Sequence, residues 1–296
     1  MTKRGNHVQQ TITDALIALM EVGTPPWRCG WSKSTDTFTM PLRANGEAYR
    51  GINILLLWSS VMQHGFTSPY WFTYKQAQSI NAQVKKGSKA TKIIYYGVLK
   101  ANDETEEDAD ELRRFARLYS VFNGDQIEGL AACYTVPPAP LEIFDNERSG
   151  YMDDFFYSIK ATVKEEGEKA FYDRLKDSIT LPPFDTFESA NAFYSTLAHE
   201  FAHWTGAKDR LNRVKGKAFG DRAYAFEELV AELSAVFTMT ELNAAIDLPN
   251  HSAYLAHWIT AMREEPSFIM RAASAASASA EFLIGESKIR NAFCAA

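Results

Sequence analysis

The stretch His199-Glu200-Phe201-Ala202-His203 constrains the local fold more tightly than any other part of the 296 residues. Residues four apart share a face on an α-helix. Two imidazoles at i and i+4 can therefore grip one cation, with Glu200 beside them to take a proton from a bound water, which is the HExxH pattern of zinc hydrolases. The flanks suit a helix over 186–205. Phe193, Leu197, Phe201 and Ala202 form a core-facing stripe, Asp185 and Glu188 fit a capping box, and Gly206 fits a C-terminal end.

Three protein ligands and one open position are the usual catalytic arrangement, so a third ligand is expected downstream. Glu228, 25 residues after His203 on a predicted helix, is the favoured one. Glu232, one turn further on, is expected to accept a hydrogen bond from the free ring nitrogen of a ligand histidine. Asp209 competes for the third position, because His199 to Asp209 also reads HExxHxxGxxD, although Arg210 beside it offers an ordinary ion pair. Zn2+ is the expected ion, and another divalent metal such as Mn2+ suits the same donors. Glu200 would then be the general base. Tyr254 and His257 are the candidates for an oxyanion donor, and the run Ile179 to Leu181 is a candidate edge strand for an extended peptide.

Charge divides the chain. Residues 1–100 carry a net +8 and the remainder −14, so the first part suits a polyanion and the second does something else. The basic part is also aromatic. Trp27, Arg28, Trp31, Arg43, Tyr49, Arg50, Trp71, Lys75, Lys85, Lys86 and Lys89 form the candidate nucleic-acid set, with cations for phosphates and rings for bases. Three scattered cysteines exclude a disulfide scaffold and a thiolate zinc site. No apolar run approaches the ~18 residues of a membrane span, and the amphipathic start reads as a helix rather than a signal peptide, so a cytoplasmic location is expected.

Periodicity predicts helices over 8–22, 51–62, 73–81, 151–167, 186–205, 224–243 and 250–263, and a small-residue helix running from 272 to 283. Strands are expected over 92–99, 117–122 and 177–181. Residues 101–111 hold seven acids and read as a solvated loop between two strands. Pro137-Pro138-Ala139-Pro140 favours an extended linker, because successive prolines fix φ.

Several strings in order, PPWRCGW (25–31), EAYRGINILLLW (47–58), WFTYKQA (71–77) and VKKGSKATKIIYY (84–96), resemble the N-terminal domain of ArdC-type antirestriction proteins, also found in TraC-type conjugative primases. LAHEFAHWTG (197–206) and YAFEELVAEL (224–233) resemble their zincin-like C-terminal domain. The resemblance implies an α+β chain: a mixed α/β single-stranded-DNA-binding domain over 1–136, then a zincin-like metallopeptidase domain over 137–296. It implies a plasmid-encoded protein that protects DNA entering a new host from restriction during conjugation. The second domain would be similar to SprT/Spartan proteases, with ligands His199, His203 and Glu228 and catalytic base Glu200. An Asp is commoner than Glu at position 232 in that pattern. Single-stranded DNA is the expected partner, with double-stranded DNA as a second candidate. The protein substrate is unidentified, a restriction-system component being one candidate. A different class of function, a non-proteolytic DNA-binding shield with a structural or vestigial metal site, fits the same strings.

Overall fold

A computed structural model describes residues 3–22, 25, 27, 39–99, 113–144, 146–213, 222–248 and 252–289. The chain divides into two compact units, and the division is not a single cut. The first comprises Met1–Pro26, Pro41–Pro137 and Glu265–Ser267, and the second Trp27–Met40, Pro138–Glu264 and Phe268–Ala296. The main change of unit falls within the proline-rich stretch.

In the first unit, α1 (Lys3–Glu21) buries Ile12, Leu16, Ile17 and Met20 at helical spacing. The strands are β1 (Leu42–Arg43), β2 (Tyr70–Phe72), β3 (Gln83–Val84), β4 (Thr91–Leu99), β5 (Arg113–Asn123) and β6 (Ile127–Glu128). Four of them form a sheet of order β1-β2-β5-β4, and β3 pairs with β6. The long β4–β5 ribbon is antiparallel, with Ile93 opposite Tyr119 and Tyr95 opposite Arg117. Helix α2 (Ile52–His64) buries Ile54, Leu55, Leu57 and Trp58 and ends at Gly65, whose φ of 69° fits the left-handed stop that glycine takes without strain. Helix α3 (Tyr74–Ser79) begins at a capping box between Thr73 and Gln76.

The second unit contains α4 (Gly150–Tyr157), β7 (Thr162–Glu165), β8 (Phe171–Asp173), β9 (Ser178–Leu181), α5 (Ala190–Thr205), α6 (Arg222–Glu241), α7 (Ser252–Glu264) and most of α8 (Ser267–Glu286). The helix expected over 151–167 stops at Tyr157. Thr162 and Val163 are β-branched and pair with β9 instead, so tertiary pairing overrides the helical pattern. The helix expected from 186 starts at Ala190, because Ser189 caps it by accepting from the Ala192 amide, while Phe184–Thr186 form a 3-10 turn after Pro183.

The sheet order β7-β9-β8 overturns one expectation. Strand β9, which holds Ile179 to Leu181, is central: it is parallel to β7, antiparallel to β8, and buried along its length. Both backbone edges are occupied, so it cannot accept a peptide. Among the described residues, β7 and β8 each pair with β9 alone and form the two edges, and β8 is the one whose Phe171 and Tyr172 line the cleft described below.

Candidate metal centre

Helices α5 and α6 pack against each other, and each is nearly inaccessible at its apolar positions, Phe193, Leu197 and Phe201 on α5 and Val230, Leu233 and Phe237 on α6. This buried seam sets the distance between His199 and His203 on α5 and Glu228 on α6. One ligand atom from each of the three lies within 4.8 Å of the others, the one such metal-capable group among the described residues. Nε2 of His199 and Nε2 of His203 are 3.2 Å apart. Glu228 places Oε2 3.7 Å from His199 Nε2 and Oε1 3.6 Å from His203 Nε2. A tetrahedral ion with bonds near 2.1 Å has ligand-to-ligand edges of ~3.4 Å. The imidazole-to-imidazole separation is close to such an edge, and each Glu228 oxygen lies near one from a different imidazole, so the donor set fits a His2Glu divalent-metal site by type and lies close enough to share one ion.

Electrostatics agree with that fit. Burial alone would lower the His199 imidazole, but the Glu228 hydrogen bond and the charges of Glu200, Glu228 and Glu232 outweigh it and raise it. Burial acts upward on Glu228. Hydrogen bonding to His199, the two nearby imidazoles and the Tyr224 hydroxyl reverse this and hold the carboxyl below its ordinary value. The pocket therefore favours positive charge at its centre.

Asp209, the competing ligand, is 75% exposed and pairs with Arg210 at 3.5 Å, away from the cluster. Glu200 is buried beside His199 and lines the same cleft of about 390 Å³ as His199, His203 and Glu228. Thr196, Ala170, Phe171, Tyr172, Arg174 and Tyr224 complete the wall. Arg210 anchors the strand side of this cleft. Its guanidinium lies 4.0 Å from the Trp204 ring, donates to Trp204 O at the end of α5, and reaches Tyr172 Oη and Asp177 on the β8–β9 hairpin.

At His203 the carboxylate that meets the outward ring nitrogen is Glu227, whereas the charge of Glu232 acts on His199. Glu227 Oε1 lies 3.3 Å from His203 Nδ1, the ring nitrogen that faces away from the cluster. Adjacent helical residues point ~100° apart, so Glu227 can serve the ring while Glu228 faces the cluster. Arg213 donates to both Glu227 oxygens at 3.1 and 3.0 Å and to Thr205 Oγ1 at 2.8 Å. Burial would raise the Glu227 carboxyl, but hydrogen bonds from His203 and Arg213 lower it to about 2. Glu232 is fully buried and accepts from the Trp27 indole at 3.3 Å. The adjacency of Glu227 to Glu228 was the available signal for its role.

Tyr224, one turn before Glu228, also lines the cleft, and no residue spacing in the sequence marks it. Its hydroxyl is 3.4 Å from that of Tyr254 and its ring stacks on Tyr254 at 6.2 Å. Burial, Tyr254 and Glu228 push its phenol well above the ordinary tyrosine value, so it stays protonated. Of the two expected oxyanion donors, Tyr254 stands behind Tyr224 and His257 is exposed; neither is among the cleft-lining residues.

The basic set is dispersed by comparison. Trp27 has no exposed surface and packs in the second unit against Trp258, centroids 6.4 Å apart. Trp71 is 1% exposed, and Tyr49 is buried beneath Arg43, whose Cζ is 5.6 Å from the ring centroid. These three rings cannot stack on bases as expected, because their faces are covered by protein. Arg43, Arg50, Lys75, Lys85, Lys86 and Lys89 are exposed. Arg43 pairs with Glu47, and Lys85 donates to Asp125 O. Arg28 and Trp31 lie outside the described residues.

Residues 6–122 match the family model described as the N-terminal domain of anti-restriction factor ArdC, and residues 151–275 match that of a zincin-like metallopeptidase. The chain is 33% identical over 284 residues to the uncharacterized protein y4eC of Sinorhizobium fredii, covering 93% of this chain and 91% of the relative. It is 33% identical to a DNA primase TraC of Escherichia coli over 285 residues, covering 90% of this chain but only 19% of the primase. Two crystal structures of the antirestriction protein ArdC from plasmid R388 are similar. The metal-free form has a TM-score of 0.82 and 38% identity, covering 94% of this chain and 97% of ArdC. The Mn(II)-bound form has a TM-score of 0.80 and 37% identity, covering 95% and 98%.

Proposed function

The chain belongs to the ArdC family of antirestriction proteins, and on that premise we propose that it protects incoming DNA by joining single-stranded-DNA binding to a zinc-dependent peptidase. The observation that carries the peptidase half is the convergence of His199, His203 and Glu228 to within 4.8 Å, in one cleft with Glu200. The Mn(II)-bound form of the R388 relative supports a divalent ion in this fold. The His2Glu donor set favours Zn2+ over Mn2+ by the general order of affinities.

A bound divalent ion supplies an acidified water and a positive charge against the scissile carbonyl. The chain's own residues do the rest. Glu200 accepts the proton of the attacking water and returns it to the leaving amine. Glu227 fixes the orientation of His203, and Arg213 keeps Glu227 ionised. Tyr224 is held protonated, lines the cleft and donates to Glu228; once that carboxylate is engaged by an ion, the phenol proton becomes available to the developing oxyanion. The free edge of β8 offers main-chain groups to an extended peptide, taking the part expected of Ile179 to Leu181.

The DNA half rests on the +8 charge of residues 1–100 and on the match of residues 6–122 to the ArdC N-terminal domain. The test is protection of a conjugating plasmid in a restricting recipient. Glu200→Gln is expected to keep metal and DNA binding and to lose protection. Full protection by a Glu200→Gln protein would reject the peptidase mechanism in favour of a shield that acts by occupying DNA.

A further inference from the structure

A ring that stacks on a nucleobase must have an uncovered face, and Trp27, Tyr49 and Trp71 are buried. The first unit does expose a different pair. Tyr95 on β4 is 54% exposed and Tyr119 on β5 is 42% exposed, with centroids 5.8 Å apart and planes at 81°. The antiparallel register sets Ile93 opposite Tyr119 and Tyr95 opposite Arg117. Directly opposed residues point to the same side of a ribbon, as do residues two apart along a strand. Tyr95, Arg117 and Tyr119 therefore share one face, and Arg117 is exposed there.

Cations lead up to this face. Lys85, Lys86 and Lys89 are exposed on the turn that runs into β4. Lys89 precedes Tyr95 by six residues, a reach of roughly 20 Å in extended chain. That length suits several nucleotides, as single-strand binding grooves do.

We infer that this face of the β4–β5 ribbon is a platform for single-stranded nucleic acid. Splayed bases lie against the Tyr95 and Tyr119 rings, while Arg117 and the Lys85, Lys86 and Lys89 turn meet backbone phosphates. The rings decide the class of ligand. Bases in a duplex have their faces covered by their neighbours, so a duplex meets only the cations, whereas unpaired bases meet rings and cations together. The inference rests on the single-stranded-DNA reading of the first unit and adds to it a place and a mode of contact.

The experiment titrates the full chain against a labelled oligothymidine and against a duplex of equal length, followed by anisotropy. Tyr95→Ala and Tyr119→Ala are each expected to weaken single-strand binding ~10-fold or more, with duplex binding nearly unchanged. Tyr95→Phe and Tyr119→Phe should bind as the wild type does, since stacking needs the ring and not the hydroxyl. Arg117→Ala should reduce the slope of log affinity against log salt by ~0.7. Photo-crosslinking of the unaltered protein to a bromouracil-substituted strand should mark the Tyr95 and Tyr119 peptides, which keeps the test independent of how the variants fold. Wild-type binding with an equally tight Tyr95→Ala/Tyr119→Ala variant, or crosslinks confined to other peptides, overturns this surface while leaving single-stranded-DNA binding intact. A wild type that does not bind the oligothymidine overturns the reading of the first unit, and the surface with it.

Discussion

The second unit concentrates its chemistry, whereas the first disperses it. His199, His203 and Glu228 converge within 4.8 Å in a half-enclosed cleft, held by the buried α5–α6 seam and braced by Glu227 and Arg213. Lys75, Lys85, Lys86 and Lys89 stand on exposed turns and short helices with few fixed partners. The difference is the one that the two proposed ligands would require. A divalent cation needs donors at defined distances and angles, which only packed elements supply. A polyanion needs a field and accessible faces, which a loose array of side chains can supply. Substitutions should therefore act locally and steeply in the second unit, and gradually and with salt dependence in the first.

The largest expected effect is at the ligands. His203→Ala or Glu228→Ala should abolish stoichiometric Zn2+ or Mn2+ binding, measured by calorimetry, while oligothymidine affinity stays unchanged. Coupled loss of both activities would break the contrast between the units. Next is Glu227→Gln, which removes the charge that orients His203 and should lower metal affinity ~10- to 100-fold. If Glu232→Gln proves the more damaging of the two, the assignment of the ring-orienting role is reversed. In the first unit, the Lys85→Ala/Lys86→Ala/Lys89→Ala triple variant should bind DNA more weakly at low salt and reduce the salt slope by ~2, with metal binding untouched.

The smallest effect concerns acid stability. The folded Glu227 carboxyl is depressed to about 2 from an ordinary value of 4.5. A depressed carboxyl stabilises the fold above its unfolded pKa and loses that contribution as pH falls through the folded one. Metal-free wild type should therefore lose melting temperature between about pH 4.5 and 2 relative to Glu227→Gln, whose own pH profile should be flatter there. Parallel profiles for the two proteins would remove Glu227 from the account of the site.

How much of this was legible depended on whether a relation lay within one element or between two. The helical spacing of His199 and His203 is a property of a single helix, and it survived a four-residue error in where that helix begins, because capping by Ser189 changes the start and not the phase. Glu228 was legible as a candidate, yet Asp209 matched an equally regular string. What separates them is that α6 is packed on α5, while Asp209 points to solvent. Glu227 is not legible although it is adjacent to Glu228, because the sequence does not say toward which side of α6 the α5 histidines lie. Strand β9 was legible as a strand but misplaced at an edge, since its alternation and flanking prolines are silent about its partners. Composition misled most at Trp27 and Trp71, for a large ring serves a core as well as a ligand surface.

The sequence by itself determined the HExxH helix, the acidic helix that follows it, the proline-rich change of unit and the sign of charge in each part, because backbone periodicity, proline geometry and net charge are set by residues near in sequence. Tertiary structure alone decided that Glu228 meets the histidines, that Glu227 meets the other ring nitrogen of His203, that β8 is an edge strand beside the cleft and that Tyr95 and Tyr119 are exposed together on one ribbon face. Each of these is a distance or an exposure between segments far apart in the chain, and such quantities are fixed only when the core closes around them.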